Sequence, residues 1–255
     1  MPVSIQFFGA AAYLIVTAAG AHVLIDPFLN KNVYSPVKAA DLERVDLLLL
    51  THNAFDHFGD APEIIKKHRC PVVCAKDVMH HLERYHDVDP SVFRVTIWGF
   101  LLEEAGVRVR SVESHHWSFG AMPDGQLLSG PAMGFIVEAA ANVRIYHPGD
   151  TALSYDMKLW GELYKPTVGL MHVTLPEGEG VSLPHMHCYK TGEITPQEAW
   201  LASQWLGLEH VIVSHYVDPG CPDVRDFLEI AKQMDRKDGL APRVTVMKPG
   251  ETITL

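Results

Sequence analysis

Alternating apolar and polar positions at the start of the chain indicate a series of short strands. The stretches 4–9 (SIQFFG) and 12–18 (AYLIVTA) are followed by an Ala-Gly turn and then by 22–28 (HVLIDPF), which predicts an antiparallel meander. The next apolar run, 45–52 (VDLLLLTH), is uninterrupted and has the length of a buried strand. The chain is therefore expected to begin with strands.

Helix-like and strand-like patterns alternate through the remaining sequence. Asp60 before Ala61-Pro62 marks a helix start, and Thr195 with Glu198 fits a capping box. Further strands are predicted at 71–75, 106–114, 133–139, 142–150, 167–175, 210–216 and 243–247, and further helices at 76–85, 156–164, 196–207 and 223–234. This order predicts an α/β fold in which helices pack outside two sheets, within a single domain spanning residues 1–255.

Composition limits the partners and the compartment. The net charge of −10 argues against general nucleic-acid binding, which favours a basic face. The N-terminus lacks the pattern of a signal peptide, and no apolar run has the length of a membrane span. The four cysteines form no CxxC pair and are expected to be reduced thiols. We expect a cytoplasmic protein with a small-molecule substrate and no nucleic-acid or membrane partner. A homo-oligomer is a possible assembly.

Potential metal ligands follow four of the predicted strands. They are His52, Asp56 and His57 after the first apolar run, His116 after 106–114, Asp150 after 142–149, and His215 after 210–214. Strand ends on one side of a sheet converge in space, and the loops there carry functional groups on a rigid scaffold. Imidazole and carboxylate together suit zinc, iron or manganese. The pattern therefore predicts a metal centre.

The spacing of these residues resembles the metallo-β-lactamase superfamily. The motif T-H-x-H-x-D-H, a distant His, G-D-T and a final His match 51–57, His116, 149–151 and His215 over almost the whole chain. The branch that includes L-ascorbate-6-phosphate lactonase is the most similar. The stretch His116-Trp117-Ser118 also resembles the HWS of N-acylphosphatidylethanolamine phospholipase D, which favours His116 over its neighbour His115 as the ligand.

The resemblance implies a four-layer αββα sandwich with two metal sites at one sheet edge. Site one would hold His52 and His116, and Asp150 would bridge to site two. Ala54 stands where site one should have its remaining histidine. Site two is complete, and its ligands are Asp56, His57, Asp150 and His215.

Ala54 leaves three outcomes open for site one, because a methyl group binds no metal. The site is empty, it binds weakly with water in the gap, or another residue replaces the histidine. His185 and His187 lie in a long stretch without periodicity and face one side if that stretch is extended. Cys188 and Asn53 are weaker substitutes. We therefore expect one or two divalent metals per chain, with zinc first and manganese or iron as alternatives.

A metal centre of this kind favours hydrolysis, because a bound metal supplies hydroxide near neutral pH. Asp56 or Asp150 would orient the hydroxide, and His115, His185 or Tyr216 would assist the leaving group. With one metal, the prediction is an ester, lactone or amide as substrate. Phosphodiester cleavage is the enzymatic alternative, prompted by the HWS match. A metal-binding protein that has lost catalysis is the alternative from another class.

Overall fold

Two seven-stranded sheets form the centre of the molecule in the computed structural model, which describes residues 1–174, 192–216, 218–238 and 241–255. Side chains are described in these ranges except at 235–238. The strands are Ser4–Gly9 (β1), Ala12–Val16 (β2), His22–Ile25 (β3), Leu47–Leu49 (β4), Val72–Cys74 (β5), Phe93–Val95 (β6), Leu101–Glu104 (β7), Val107–Ala121 (β8), Leu127–Ala140 (β9), Val143–His147 (β10), Val168–His172 (β11), His210–Ser214 (β12), Arg243–Thr245 (β13) and Thr252–Thr254 (β14). The helices are Phe55–Phe58 (α1), Ala61–His68 (α2), Lys76–His86 (α3), Asp156–Tyr164 (α4), Pro196–Leu206 (α5) and Pro222–Asp238 (α6).

Each sheet is antiparallel at one end and parallel at the other. The first has the order β14-β1-β2-β3-β4-β5-β6, and the second β13-β12-β11-β10-β9-β8-β7. Strands β1 to β3 form the predicted antiparallel meander, and β3 to β6 run parallel. In the second sheet, β7 to β10 are antiparallel and β10 to β13 are parallel. The parallel strands therefore end at the same edge of each sheet.

Strand β4 shows why its sequence is uniformly apolar. Successive side chains of a strand point to opposite faces, and both faces of β4 are covered. Leu47 and Leu49 join the core that contains residues of both sheets, whereas Leu48 and Leu50 pack with residues of α2 and α3, such as Ile64. Two buried layers on one strand require an unbroken apolar run, which is the pattern in the sequence.

The predicted α/β fold with two sheets and flanking helices is confirmed. The helix-start signals are also confirmed: Thr195 accepts a hydrogen bond from the backbone of Glu198, whose carboxylate accepts from Thr195 in return. Asp60 does precede α2, but its carboxylate accepts from the backbone of Leu29 and Asn30 and makes no cap. Within the described ranges, no helix combines the length and apolar character needed to cross a membrane.

Several elements were missing from the sequence prediction. They are helix α1 and strands β6, β7 and β14, which have three or four residues each. Strands β8 and β9 also continue beyond the predicted segments as one long hairpin that reaches Ala121 and Leu127. This hairpin carries His116.

Candidate metal centre

The loop after β4 is held in place by the buried carboxylate of Asp26, which follows β3. Asp26 accepts hydrogen bonds from the backbone N–H of Thr51 at 2.9 Å and from its hydroxyl at 2.7 Å. It also accepts from His57 Nδ1 at 2.8 Å. Since the Thr51 hydroxyl donates to Asp26, it accepts from His52 Nδ1, which is 3.0 Å away. Both ring Nε2 atoms are thereby left to face the centre.

Asp150 is positioned by a tight turn after β10. Gly149 has a φ of +62°, and a Cβ at this position would lie 2.9 Å from the Cβ of Thr51, so both conformation and space require glycine. His147 accepts from the backbone N–H of Gly149 at 3.0 Å, and His172 Nε2 donates to the carbonyl of Thr151 at 3.0 Å. These two histidines hydrogen-bond to the backbone on either side of Asp150 and so hold the turn.

A bulge in β8 directs His116 into the centre. Glu113 pairs with Met133 but Trp117 pairs with Pro131, so β8 has two more residues than its partner between these pairs. The bulge is fixed to the turn after β10, because the hydroxyl of Ser114 donates to Pro148 O at 2.6 Å. This local departure from the ladder brings the two segments together.

His215 follows β12 in a left-handed backbone conformation with a φ of +58°. A non-glycine residue adopts this region at a cost, so the surroundings must hold it there. Its backbone N–H donates to Ala10 O at 2.8 Å, and Tyr216 forms an isolated bridge with Ala10. The first sheet thus fixes a ligand supplied by the second.

The predicted ligands meet around Asp150. In site one, Asp150 Oδ2 lies 3.7 Å from His52 Nε2 and 4.0 Å from His116 Nε2. In site two, it lies 3.2 Å from His57 Nε2, and Asp150 Oδ1 lies 3.4 Å from His215 Nε2. Asp56 Oδ2 completes site two, 3.6 Å from His215 Nε2.

The donor atoms fit a divalent metal. Four buried atoms in the described structure lack a hydrogen-bond partner and face this centre: Nε2 of His52, His57 and His215, and Oδ1 of Asp150. Leaving such groups unpaired is costly unless a cation or water satisfies them. Imidazole nitrogens and carboxylate oxygens are the ligands that zinc, manganese and iron take in proteins.

Site two concentrates negative charge. Burial lowers the pKa of His215, but the carboxylates of Asp150 and Glu193 outweigh it and raise this pKa to about 10. Burial likewise opposes charge on His57, and Asp150 and Asp26 raise its pKa well above the ordinary value. Burial raises the pKa of Asp56, but His57 and His215 bring it down to about 2. A positive charge is therefore favoured in this half.

In site one, by contrast, burial disfavours protonation of both histidines. Burial is the main cause that lowers the pKa of His52 to about 3, and the neighbouring His57 lowers it further. Burial also lowers the pKa of His116. Both side chains are therefore neutral imidazoles at neutral pH, with Asp150 as the only carboxylate of the described residues within 4.0 Å of their ring nitrogens.

Other predicted residues lie elsewhere. The side chain of His115 is 44% exposed and stands beside Glu113, 3.9 Å away, in a separate group that includes Asp156. The side chain of Asn53 accepts from His81 Nδ1 at 2.7 Å and is therefore not directed to the gap at Ala54. The hydroxyl of Tyr216 donates to Met247 O in the core. His185, His187 and Cys188 lie outside the described residues.

Two carboxylates of the centre were missed by sequence analysis. Asp26 directly follows a predicted strand, so the strand-end criterion that found His52 would also have found it. Glu193 has no such signal, because it precedes α5 in a stretch without periodicity. Its Oε2 lies 3.6 Å from His215 Nδ1.

Both the sequence and the fold match those of known proteins. A family model described as the beta-lactamase superfamily domain matches residues 21–216. A protein of Rubrobacter xylanophilus named UPF0173 metal-dependent hydrolase is 32% identical over 254 residues, which are 98% of this chain and 95% of that protein. A relative of the same name from Archaeoglobus fulgidus is 32% identical over 249 residues, or 97% of each. The solved structure of Igni18, a metallo hydrolase from Ignicoccus hospitalis, has a TM-score of 0.75 and 25% identity, and covers 100% of this chain and 99% of that one.

The fold and the site thus define a metal-dependent hydrolase of the metallo-β-lactamase type. The chain belongs to the beta-lactamase superfamily and, within it, to the UPF0173 metal-dependent hydrolases. The predicted enzyme class, a metal-dependent hydrolase, is confirmed.

Proposed function

We propose that this hydrolase cleaves a small-molecule ester, lactone or amide with one tightly held metal, in site two. The observation that carries the proposal is the asymmetry between the sites. Site two has Asp56, His57 and His215 beside the shared Asp150, whereas site one has two neutral histidines and Ala54 in the ligand gap. An acyl substrate makes less demand on a second metal than a phosphodiester, for which two metals clamp the attacking and leaving oxygens.

Asp56, His57, Asp150 and His215 would hold the metal. A bound divalent metal supplies Lewis acidity, which lowers the pKa of water and polarises a carbonyl oxygen. Zinc is the first expectation for this set of nitrogen and oxygen donors, and manganese and iron are the alternatives. Site one would bind a second metal tightly only if another residue of the chain replaced the ligand missing at Ala54.

Site one contributes uncharged groups that face the same space. Its Thr51 hydrogen bond places the proton of His52 on Nδ1, so Nε2 carries a lone pair. This atom accepts a hydrogen bond from the attacking water and helps to orient it. His116 also has its Nε2 directed to the carboxylate of Asp150. The two rings are 5.3 Å apart between centroids.

Asp56 and Asp150 are proposed to act as anionic ligands that also orient the water. The pKa of each carboxyl is held down by His57 and His215 against the effect of burial, so both remain ionised at neutral pH. An ionised carboxylate accepts a hydrogen bond from water and fixes the direction of attack. We propose no catalytic role for His115, because it stands with Glu113 and Asp156 outside this group.

The test combines metal content with a substrate panel. Protein purified without chelator is analysed for metals, and the zinc- and manganese-loaded forms are assayed on an aryl ester, a lactone, an anilide and bis(p-nitrophenyl) phosphate. We expect turnover of an acyl substrate, lost in Asp56→Asn and kept in the control Asp156→Asn, whose carboxylate lies in the separate exposed group. Preferential cleavage of the phosphodiester would overturn the substrate class, and the absence of bound metal would overturn the mechanism.

The cytoplasm remains the proposed location, and a small molecule the proposed partner. Cys70, Cys74 and Cys221 are free thiols in the described part of the chain, which agrees with a reducing compartment. The net charge of −10 remains the argument against nucleic acid. We also propose that the protein has no membrane partner and that it can form a homo-oligomer.

A further inference from the structure

A buried carboxylate that the ligand motif does not include stands behind His215. Glu193 is 7% exposed and lies shortly before α5. Its Oε2 is 3.6 Å from His215 Nδ1, while His215 Nε2 faces Asp150 and Asp56 at 3.4 and 3.6 Å. The imidazole therefore lies between two acidic groups. Its Nε2 is the atom that faces the metal position, and its Nδ1 faces Glu193.

The same arrangement recurs at the other histidine of site two. His57 Nε2 faces Asp150 at 3.2 Å, and its Nδ1 donates to Asp26 at 2.8 Å. At site one, by contrast, the group behind His52 is the hydroxyl of Thr51. A carboxylate behind a ligating imidazole keeps the proton on the distal nitrogen, fixes the ring and makes the proximal nitrogen a better donor.

We propose that Glu193 is a positioning residue of the metal centre, which acts through His215 to strengthen divalent-metal binding at site two. The inference rests on the proposed function, in which site two holds the tight metal. At 3.6 Å the pair is looser than a hydrogen bond, so metal binding is expected to draw His215 and Glu193 into one. Carboxylates that hydrogen-bond to a ligating histidine typically change metal affinity about 10- to 100-fold.

The test measures zinc affinity of metal-free protein by competition with a chromophoric chelator, together with the visible spectrum of the cobalt form. Glu193→Gln keeps the shape of the side chain and removes its charge. We expect the dissociation constant to rise about 10- to 100-fold and the cobalt bands to shift. The matched control is Glu209→Gln, which alters an exposed carboxylate just before β12, at the opposite end of the strand from His215.

Two further measurements keep the result interpretable. Glu193→Asp retains the charge and should restore part of the affinity, which loss of packing alone would not explain. In a His215→Gln background, Glu193→Gln should have little further effect, because the carboxylate would have no ring to act through. Unchanged affinity in Glu193→Gln, with zinc still bound by the unaltered protein, would overturn this inference alone. Failure of the unaltered protein to bind zinc, cobalt or manganese would overturn the proposed function as well.

Discussion

Site one and site two share Asp150 but differ in the groups that stand behind their histidines. Behind His57 is the carboxylate of Asp26, and behind His215 is that of Glu193. The corresponding group behind His52 is an uncharged hydroxyl. The sites therefore differ in electrostatics as well as in the ligand lost at Ala54. The absence of one histidine therefore accompanies a wider difference: site two is built to hold a cation, whereas the histidines of site one are neutral.

The largest effect is expected where the two sites join. Among the described residues, Asp150 is the only carboxylate that approaches the histidines of both sites, so Asp150→Asn should weaken metal binding at both. We expect loss of retained metal by elemental analysis and a fall in kcat/KM of more than about 100-fold, or about 2.7 kcal/mol. Metal retained at the level of the unaltered protein would show that the sites are independent of their shared residue.

The next effect concerns the gap in site one. Ala54 has φ −68° and ψ 149°, a conformation that histidine adopts without strain. Ala54→His should raise the metal content from about one to about two per chain, since it supplies a third histidine to that half. The control, Ala54→Leu, adds bulk without a donor and should leave the content unchanged.

The companion variant His185→Ala/His187→Ala tests whether these two histidines fill the gap at Ala54. We expect about one metal per chain in both the unaltered and the double-variant protein, since site two supplies four ligands by itself. A content that begins near two and falls to one would instead show that these histidines complete site one.

A smaller effect is expected from the hydrogen bond that joins the two segments of site one. The Ser118 hydroxyl accepts from the backbone N–H of Asn53 at 3.0 Å and donates to Asp77, so it ties β8 to the loop after His52. Ser118→Ala leaves a buried N–H unpaired and should lower the free energy of unfolding by about 1–3 kcal/mol. Metal retained by site two should not change.

Chemical denaturation measures this cost, with Ser129→Ala as the control on an exposed position of the same hairpin. The control should stay within about 0.5 kcal/mol of the unaltered protein. An equal loss in both variants would place the effect in the hairpin as a whole, and not in the link to site one.

The smallest effect is a pH dependence at Asp77. Burial raises the pKa of this carboxyl, and its bond with Ser118 offsets only part of the shift. The folded protein thus binds this proton more tightly than the unfolded chain, so the stabilisation is present at acid pH and is lost as the pH rises through the folded pKa. The stability of the unaltered protein relative to Asp77→Asn should therefore fall as the pH rises from about 4, the ordinary pKa of an aspartate, through the raised pKa of the folded protein. Thermal melting of both across this range checks the sign, and a difference that grows with pH would contradict it.

The sequence predicted most elements that have a periodic signal of sufficient length. The apolar run of β4 and the capping box of α5 are examples, because both signals lie within a few consecutive residues. Strand β14 was not predicted, and it is defined by a long-range contact, its pairing with β1. The strand-end rule pointed to His52, Asp150 and the other motif ligands, but the loss at Ala54 was visible only against a family pattern.

Sequence by itself determined which donor types follow which strands, and therefore that a nitrogen and carboxylate metal centre was available. The tertiary structure alone decided that a bulge in β8 turns His116 inward, that Asn53 faces away from the gap, and that Asp26 and Glu193 stand behind histidines far from them in the chain. The physical reason is the distance along the sequence over which each kind of interaction acts. Local periodicity reports the conformation of neighbouring residues, whereas the charge that surrounds a ligand depends on burial and on which segments the two sheets bring together.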